Sequence, residues 1–281
     1  MPPTIVILAL LAGAGVSDHA AVQPRTFTAI TWNVEQPQGR RLQGVIDFLI
    51  SQDADVVALQ EMYEGEAAAL RSELEVRTSK PWDGRFYRGL MLLTKVSIAQ
   101  HDELWMPYPD RYGPGRPALG VAIAIGGLRL HVFNAHLACC DHVESRQRQV
   151  DALVGWMGRF EGPAIVAGDF NAVPTAAEIG QPNTPAGKGM AAEYLDLWKA
   201  PGGDTHRNPA PSRRIDYWFQ SKGSSAALIA LSARVLDVCT GWTFTRTEAG
   251  EGGASCLADH KPVKVTFRIA PVSPAARGGA L

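Results

Sequence analysis

Apolar residues in this chain fall mostly into short, near-continuous blocks separated by stretches rich in Gly, Pro, Asp and Asn. The blocks at residues 27–34, 56–60, 90–98, 119–125 and 128–137 read as strands, as do 164–167, 215–220, 233–238 and 263–269. Runs that are apolar throughout, rather than alternating, mark strands covered on both faces. Gly126-Gly127 between two of them predicts a tight hairpin. Three stretches change to helical spacing. Residues 40–51 put Leu42, Val45, Ile46 and Leu49 on one face, 66–74 is shorter, and 143–160 carries a stripe of Val150, Leu153, Val154 and Met157. The opposite face of that last helix, with Glu144, Arg148, Asp151 and Arg159, is a solvated surface. Strands outnumber helices and hairpins mix with helical crossovers, which predicts an α+β fold with helices outside its sheets.

The two ends depart from this pattern. Residues 5–16 are apolar and small, of signal-peptide length and too short to span a bilayer, so residues 1–20 are read as an export signal cleaved near Ala20 or Ala21. No Lys or Arg precedes the apolar stretch, and a buried first strand is the competing reading. Residues 271–281 lack apolar periodicity and read as a flexible tail, leaving one domain over 26–270. The segments 180–189 and 202–212, rich in Gly and Pro, read as surface loops near a site.

Composition narrows the function. With 281 residues, 46% of them apolar, the chain has ample material for a core. A formal net charge of −1 supplies no overall basic field, which argues against tight, non-catalytic DNA binding. A bound divalent cation would still supply positive charge locally. The expected protein is secreted or periplasmic, monomeric, and without an integral membrane segment in its mature form. Four cysteines fit that compartment. A Cys239–Cys256 bridge would brace the approach to Asp259, and cross-pairing with Cys139 and Cys140 is the rival. The run Cys139-Cys140-Asp141-His142 offers zinc-type ligands, packed more tightly than the usual spacings.

Five short polar motifs carry the chemistry: Thr31-Trp32-Asn33-Val34, Leu59-Gln60-Glu61, Asn134-Ala135-His136-Leu137, Gly168-Asp169-Phe170-Asn171 and Ala258-Asp259-His260. Each alone has an ordinary explanation. Asn33 would satisfy backbone groups, Glu61 would be a surface carboxylate, His136 a core histidine, and Asp169 and Asn171 turn residues before Pro174. Asp216, after two arginines, would be an ion-paired surface residue. Together, at strand ends in one chain, they assemble carboxylates and imidazoles suited to metal-assisted attack on a phosphate ester. Asp169 and Asn171, two apart, would leave an extended strand on the same side.

The order of these motifs resembles the endonuclease/exonuclease/phosphatase superfamily, from about Phe27 to Ile269. That superfamily includes pancreatic-type deoxyribonucleases, exonuclease III-type repair nucleases, neutral sphingomyelinases and inositol-polyphosphate phosphatases. The resemblance implies a four-layer α/β sandwich: two mostly antiparallel β-sheets face to face, with helices on the outside. It implies a metal site of Glu61 and Asn33, with Glu35 and Asp259 near the ion, and Mg²⁺ as cofactor, Mn²⁺ or Ca²⁺ being alternatives. Asp169 and Asn171 match residues that orient water and hold the phosphate. His260 matches the histidine at the scissile phosphate, Asp216 the carboxylate that orients it, and His136 the second histidine. That histidine's usual carboxylate partner in pancreatic-type enzymes has no match here. Arg116 resembles a substrate-binding arginine, with Arg111 as rival.

The implied reaction is hydrolysis of a phosphodiester. Asp169 would deprotonate water, and His260 would either stabilise the pentavalent state as imidazolium or act as general base. A secreted nuclease or general phosphodiesterase comes first, its partner a phosphate ester with nucleic acid among the candidates. A lipid or inositol phosphoesterase of sphingomyelinase type is the alternative, with Trp105-Met106-Pro107-Tyr108 as an apolar membrane loop. Small phosphomonoesters follow. A non-catalytic binding protein on this fold comes last, because the polar set is intact.

Overall fold

A computed structural model describes residues 25–174, 189–198, 214–243 and 255–270. The segments expected to be the export signal and the tail, and nearly all of the two Gly/Pro-rich loops, lie outside the described residues. The first half comprises β1 (Arg25–Asn33), α1 (Gly39–Gln52), β2 (Val56–Gln60), α2 (Glu64–Thr78), β3 (Asp83–Tyr87), β4 (Leu90–Thr94) and β5 (Ile98–Met106). Next come β6 (Arg116–Ile125), β7 (Leu128–His136), α3 (Val143–Met157) and β8 (Ala164–Asp169). The remainder is α4 (Gly189–Glu193), β9 (Tyr194–Asp196), β10 (Asp216–Ser221), β11 (Leu228–Val235) and β12 (Val263–Ile269).

The strands form two six-stranded sheets, ordered β11-β12-β1-β2-β4-β3 and β5-β6-β7-β8-β10-β9. Each contains one parallel pair, β1 with β2 and β7 with β8, and is otherwise antiparallel. Both parallel pairs are joined through a helix, α1 or α3, as parallel neighbours require. Three apolar layers result. Phe27, Leu92, Val121, Val132, Trp218 and Val265 are among the side chains filling the space between the sheets. α1 and α2 cover the outer face of the first sheet through Ile46, Leu49, Leu70 and Leu74. α3 covers the second through Leu153, Trp156 and Met157 against Phe133, Val166 and Phe219. This is the four-layer sandwich expected.

The expected strand over 90–98 is interrupted: the chain leaves the first sheet after Thr94 and enters the second at Ile98. At the crossing, Lys95 Nζ reaches Asp53 Oδ1 at 2.7 Å. The strand expected at 233–238 starts earlier, at Leu228, with a bulge between Ala230 and Ser232. Helix α3 stops at Met157, where Gly158 caps it.

A buried polar crosslink joins the two sheets at the ends of their parallel pairs. Gln60 Nε2 donates to Asn134 Oδ1 at 2.7 Å and to Thr31 Oγ1 at 3.0 Å. Asn134 Nδ2 in turn donates to the carbonyls of Leu59 and Met91 at 2.8 and 3.0 Å. Both amide nitrogens and the Asn134 oxygen are thus paired, while Gln60 Oε1 is buried without a partner among the described residues. The crosslink fixes β1, β2 and β4 of one sheet relative to β7 of the other, whose parallel partner is β8.

Candidate active site

The carboxyl ends of β1, β2, β7 and β8 deliver the polar motifs. Asn33 ends β1, Glu61 follows β2, His136 ends β7 and Asp169 ends β8. Asp216 opens β10 directly opposite Asp169 in the antiparallel register. Close approach between β7 and β8 depends on Gly168, whose φ is +146° and where a Cβ would stand 1.9 Å from the Ala135 carbonyl oxygen. Backbone in the left-handed region turns the chain away from strand geometry at Glu35 (φ +50°), Glu61 (+58°) and Asn171 (+48°). Asn171 therefore does not continue β8 as the alternation argument expected. Its Nδ2 instead donates to the Leu137 carbonyl at 3.0 Å, and it borders the cleft beside Asp169.

Asp169 is the hub. Its Oδ2 accepts from Asn33 Nδ2 at 3.1 Å and its Oδ1 from the Asn171 backbone N–H at 2.9 Å. His136 Nε2 lies 3.6 Å and His260 Nε2 3.8 Å from the same Oδ2. Asn33 Nδ2 also donates to Glu61 Oε1 at 2.9 Å, so one amide ties two carboxylates together. Behind His260, Nδ1 is 2.9 Å from Oδ2 of the buried Asp216. The indole N–H of Trp32, from the first motif, holds the His260 carbonyl at 2.8 Å.

Burial and charge push these groups apart. Burial raises the Asp169 carboxyl above the usual carboxylate range, although His260 draws it the other way. Burial would depress His260 too, but the Asp216 and Asp169 carboxylates outweigh it and push it up to about 11. For His136 burial wins over the Asp169 charge and brings the imidazole down to about 4. At neutral pH one histidine is thus a cation and the other neutral. That contrast is what acid–base division of labour requires.

Glu35 lines the cleft beside Glu61 and also anchors a loop. Its Oε2 accepts from Arg41 Nη2 at 2.8 Å, while Nε and Nη2 of Arg41 also donate to the Leu257 carbonyl at 2.9 and 2.7 Å. The Glu35 backbone N–H donates to Asn33 Oδ1 at 3.1 Å. Arg41 therefore links the Asn33 loop to the strand-end loop carrying Asp259 and His260. Sequence gave it no role, since an arginine at the start of an amphipathic helix reads as surface. Its burial, at 6% exposure, is visible only in three dimensions. Gln60 and Asn134 lie within the polar motifs, yet their roles likewise rest on partners remote in sequence.

Cys239 and Cys256 form the bridge, and Cys139 and Cys140 are free thiols. The cross-paired alternative is excluded by that pairing. The backbone N–H of Leu257 donates to Val238 O at 3.1 Å beside the bridge, so disulfide and Arg41 brace the same loop. Among the described residues, metal-type side chains gather within 4.8 Å only at Asp169, Asp216 and His260, and the Cys139-Cys140-Asp141-His142 run makes no such group. The segment Trp105 to Tyr108 is not an apolar membrane loop: Met106 is fully buried, Trp105 lies under the Arg88 guanidinium at 4.7 Å, and Tyr108 takes Arg148 on its face.

Donor chemistry tests whether a divalent ion fits. Glu61 and Asp259 supply carboxylate oxygens to the cleft, and Asn33 Oδ1 keeps a lone pair beyond the one used by Glu35. An all-oxygen set suits a hard ion such as Mg²⁺. His260 has its Nδ1 on Asp216, which leaves Nε2 for the substrate side. The cleft around these residues is open and large, about 1210 Å³. It is lined by Arg40, whose guanidinium reaches the Thr243 carbonyl at 3.4 Å, and by Arg88 at the β3–β4 turn. Arg116 lines it too, its Nε held at 2.8 Å by Asp110 Oδ2.

A sequence profile of the Endonuclease/Exonuclease/phosphatase family matches residues 30–246. No curated protein sequence matches the chain. Solved structures share the fold. An endonuclease/exonuclease/phosphatase family protein of Bacteroides thetaiotaomicron aligns at TM-score 0.66 and 18% identity, over 89% of this chain and 100% of that one. TDP2 of D. rerio, complexed with single strand DNA product, aligns at 0.66 and 19%, over 86% and 98%. A mannosyl-6-phosphatase of B. thetaiotaomicron aligns at 0.66 and 18%, over 86% and 99%.

Proposed function

We propose that this chain, which belongs to the endonuclease/exonuclease/phosphatase family, is a Mg²⁺-dependent phosphodiesterase of nuclease type that acts outside the cytoplasm. Family membership carries the class of reaction, hydrolysis of phosphate esters. The observation that supports the diester reading is the cleft, about 1210 Å³ in volume and lined by Arg40, Arg88 and Arg116 as well as by Asp169 and His260. A monoester needs room for one substituent, whereas a diester needs it for two. TDP2 of D. rerio, with its single strand DNA product, supports a nucleic-acid substrate by analogy. The apolar stretch at residues 5–16 and the Cys239–Cys256 bridge support an oxidising compartment.

In this mechanism Asp169 takes the proton of the attacking water. Its raised pKa makes it a better base than an exposed aspartate. Asn171 and the neutral His136 hydrogen-bond the phosphoryl oxygens. His260, held as imidazolium by Asp216, stabilises the charge that grows on them in the transition state. Glu61, Asn33 and Asp259 would hold the ion, which when bound would supply positive charge to the phosphate. Glu35 and Arg41 fix the loops from which these ligands come.

The test offers supercoiled plasmid, a single-stranded oligonucleotide and mannose 6-phosphate to the purified protein with Mg²⁺ or EDTA. Cleavage of a nucleic acid that needs Mg²⁺ is expected. Turnover of mannose 6-phosphate alone would replace the diester reading with a sugar phosphomonoesterase. A lipid substrate has lost its one sequence feature, the packed Trp105 segment.

A further inference from the structure

The connection between β5 and β6, residues 107–115, presents an aromatic ring at the mouth of the cleft. Tyr112 is 67% exposed and lines the same cleft as Arg116, His136 and His260. Its turn is rigidly built. Asp110 and Gly113 exchange backbone hydrogen bonds of 3.0 and 3.3 Å. The Asp110 carboxylate, its side chain fully buried, accepts from the Tyr112 N–H at 2.9 Å, from Arg116 Nε at 2.8 Å and from the Cys139 N–H at 3.3 Å. A buried carboxylate is costly unless its acceptor positions are filled, and here they bind the turn to β6 and to the chain just past His136. At Gly115 a Cβ would stand 2.4 Å from the Met106 carbonyl and 2.8 Å from the Trp105 ring, so the loop is pressed onto β5.

Two arginines flank that ring, one of them ion-paired with Asp110. The guanidinium carbons of Arg111 and Arg116 lie 5.0 and 5.7 Å from the Tyr112 centroid. Arg88, stacked 4.7 Å over Trp105, lines the same end of the cleft. A held, solvent-facing aromatic ring among guanidinium groups offers a base its stacking face and the neighbouring phosphates their counter-charges.

We propose that Tyr112 is a stacking platform for an unpaired nucleobase beside the scissile phosphate, with Arg111 and Arg88 holding the flanking phosphate. The inference rests on the phosphodiesterase reading and narrows it to single-stranded nucleic acid, because a paired base would have to leave its stack to reach the ring.

Steady-state hydrolysis of tetrathymidylate and of the same backbone with abasic tetrahydrofuran residues tests this in the wild type, Tyr112→Ala and Tyr112→Phe. The ratio of kcat/KM on the base-bearing to the abasic oligomer is expected to fall about tenfold or more in Tyr112→Ala, mainly through KM, since stacking of one base is worth about that much. Tyr112→Phe should restore it, because the ring and not the hydroxyl stacks. An unchanged ratio in Tyr112→Ala overturns the platform and leaves the phosphodiesterase reading standing. An equal loss on both oligomers also overturns it, assigning the ring to sugar contact or to the loop. Should the wild type cleave neither oligomer, hydrolysis of bis-p-nitrophenyl phosphate decides the phosphodiesterase reading separately. Fluorescence anisotropy of labelled tetrathymidylate then decides the platform: tenfold weaker binding by Tyr112→Ala keeps it, and equal binding removes it.

Discussion

His260 Nδ1 sits 2.9 Å from Asp216 Oδ2, and both side chains are buried at the foot of the cleft. The contact fixes the ring orientation, turns Nε2 toward Asp169, and keeps the imidazole charged. Replacing Asp216 by Asn would keep the size and remove the charge. kcat should then fall by roughly a hundredfold or more, and the alkaline limb of the pH–kcat profile should move to lower pH. A pH profile of the Asp216→Asn protein checks both. Loss of rate with no movement of that limb would mean that Asp216 only positions the ring.

The two histidines at Asp169 should affect stability with opposite signs. His260 is raised in the fold, so its contribution is complete below the unfolded value near 6.5 and is lost as pH rises toward about 11. His136 is depressed to about 4, so the unfolded chain takes up its proton first, and stability is lost as pH falls from about 6.5 through 4. Each slope is at most about 1.4 kcal/mol per pH unit. Denaturant titrations in EDTA should show the alkaline slope reduced in His260→Gln and the acidic slope reduced in His136→Gln.

Arg41 connects Glu35 to the Leu257 carbonyl with its side chain only 7% exposed. Arg41→Met strands both partners and should cost on the order of 3 kcal/mol, read as a lower urea midpoint. Affinity for Mg²⁺ should weaken as well, because Asn33 and Asp259 both stand on loops that Arg41 holds. Adding Glu35→Gln to Arg41→Met should recover part of the lost stability, since the stranded carboxylate is then neutral.

The interior of the fold was legible in the sequence and its edges were not. Strands β2 and β12 have the bounds expected: each is paired on both sides, β2 buried throughout and β12 alternating buried with partly exposed residues. The edge strands β3, β5, β9 and β11 were missed or displaced. β3 and β5 carry Asp83, Arg85, Gln100, His101 and Glu103 within their strands, so no apolar block marks them. β9 is three residues long. The motif residues came together as their spacing implied, because strand ends are local features that a one-sheet neighbour brings into register. Arg41, Gln60, Asn134 and Asp110 escaped notice for the opposite reason. Each acts through partners remote in sequence, such as Leu257 for Arg41 and Asn134 for Gln60, or through burial that an isolated polar residue does not announce.

The central claim is that Asp169 serves as base in a Mg²⁺-dependent attack on a phosphodiester. Initial rates of bis-p-nitrophenyl phosphate hydrolysis at pH 7 test it most directly, with Mg²⁺ or EDTA, in the wild type and Asp169→Ala. Turnover that EDTA abolishes and that Asp169→Ala lowers by about a hundredfold or more is the predicted result. Turnover that persists at wild-type rate in Asp169→Ala would contradict the account.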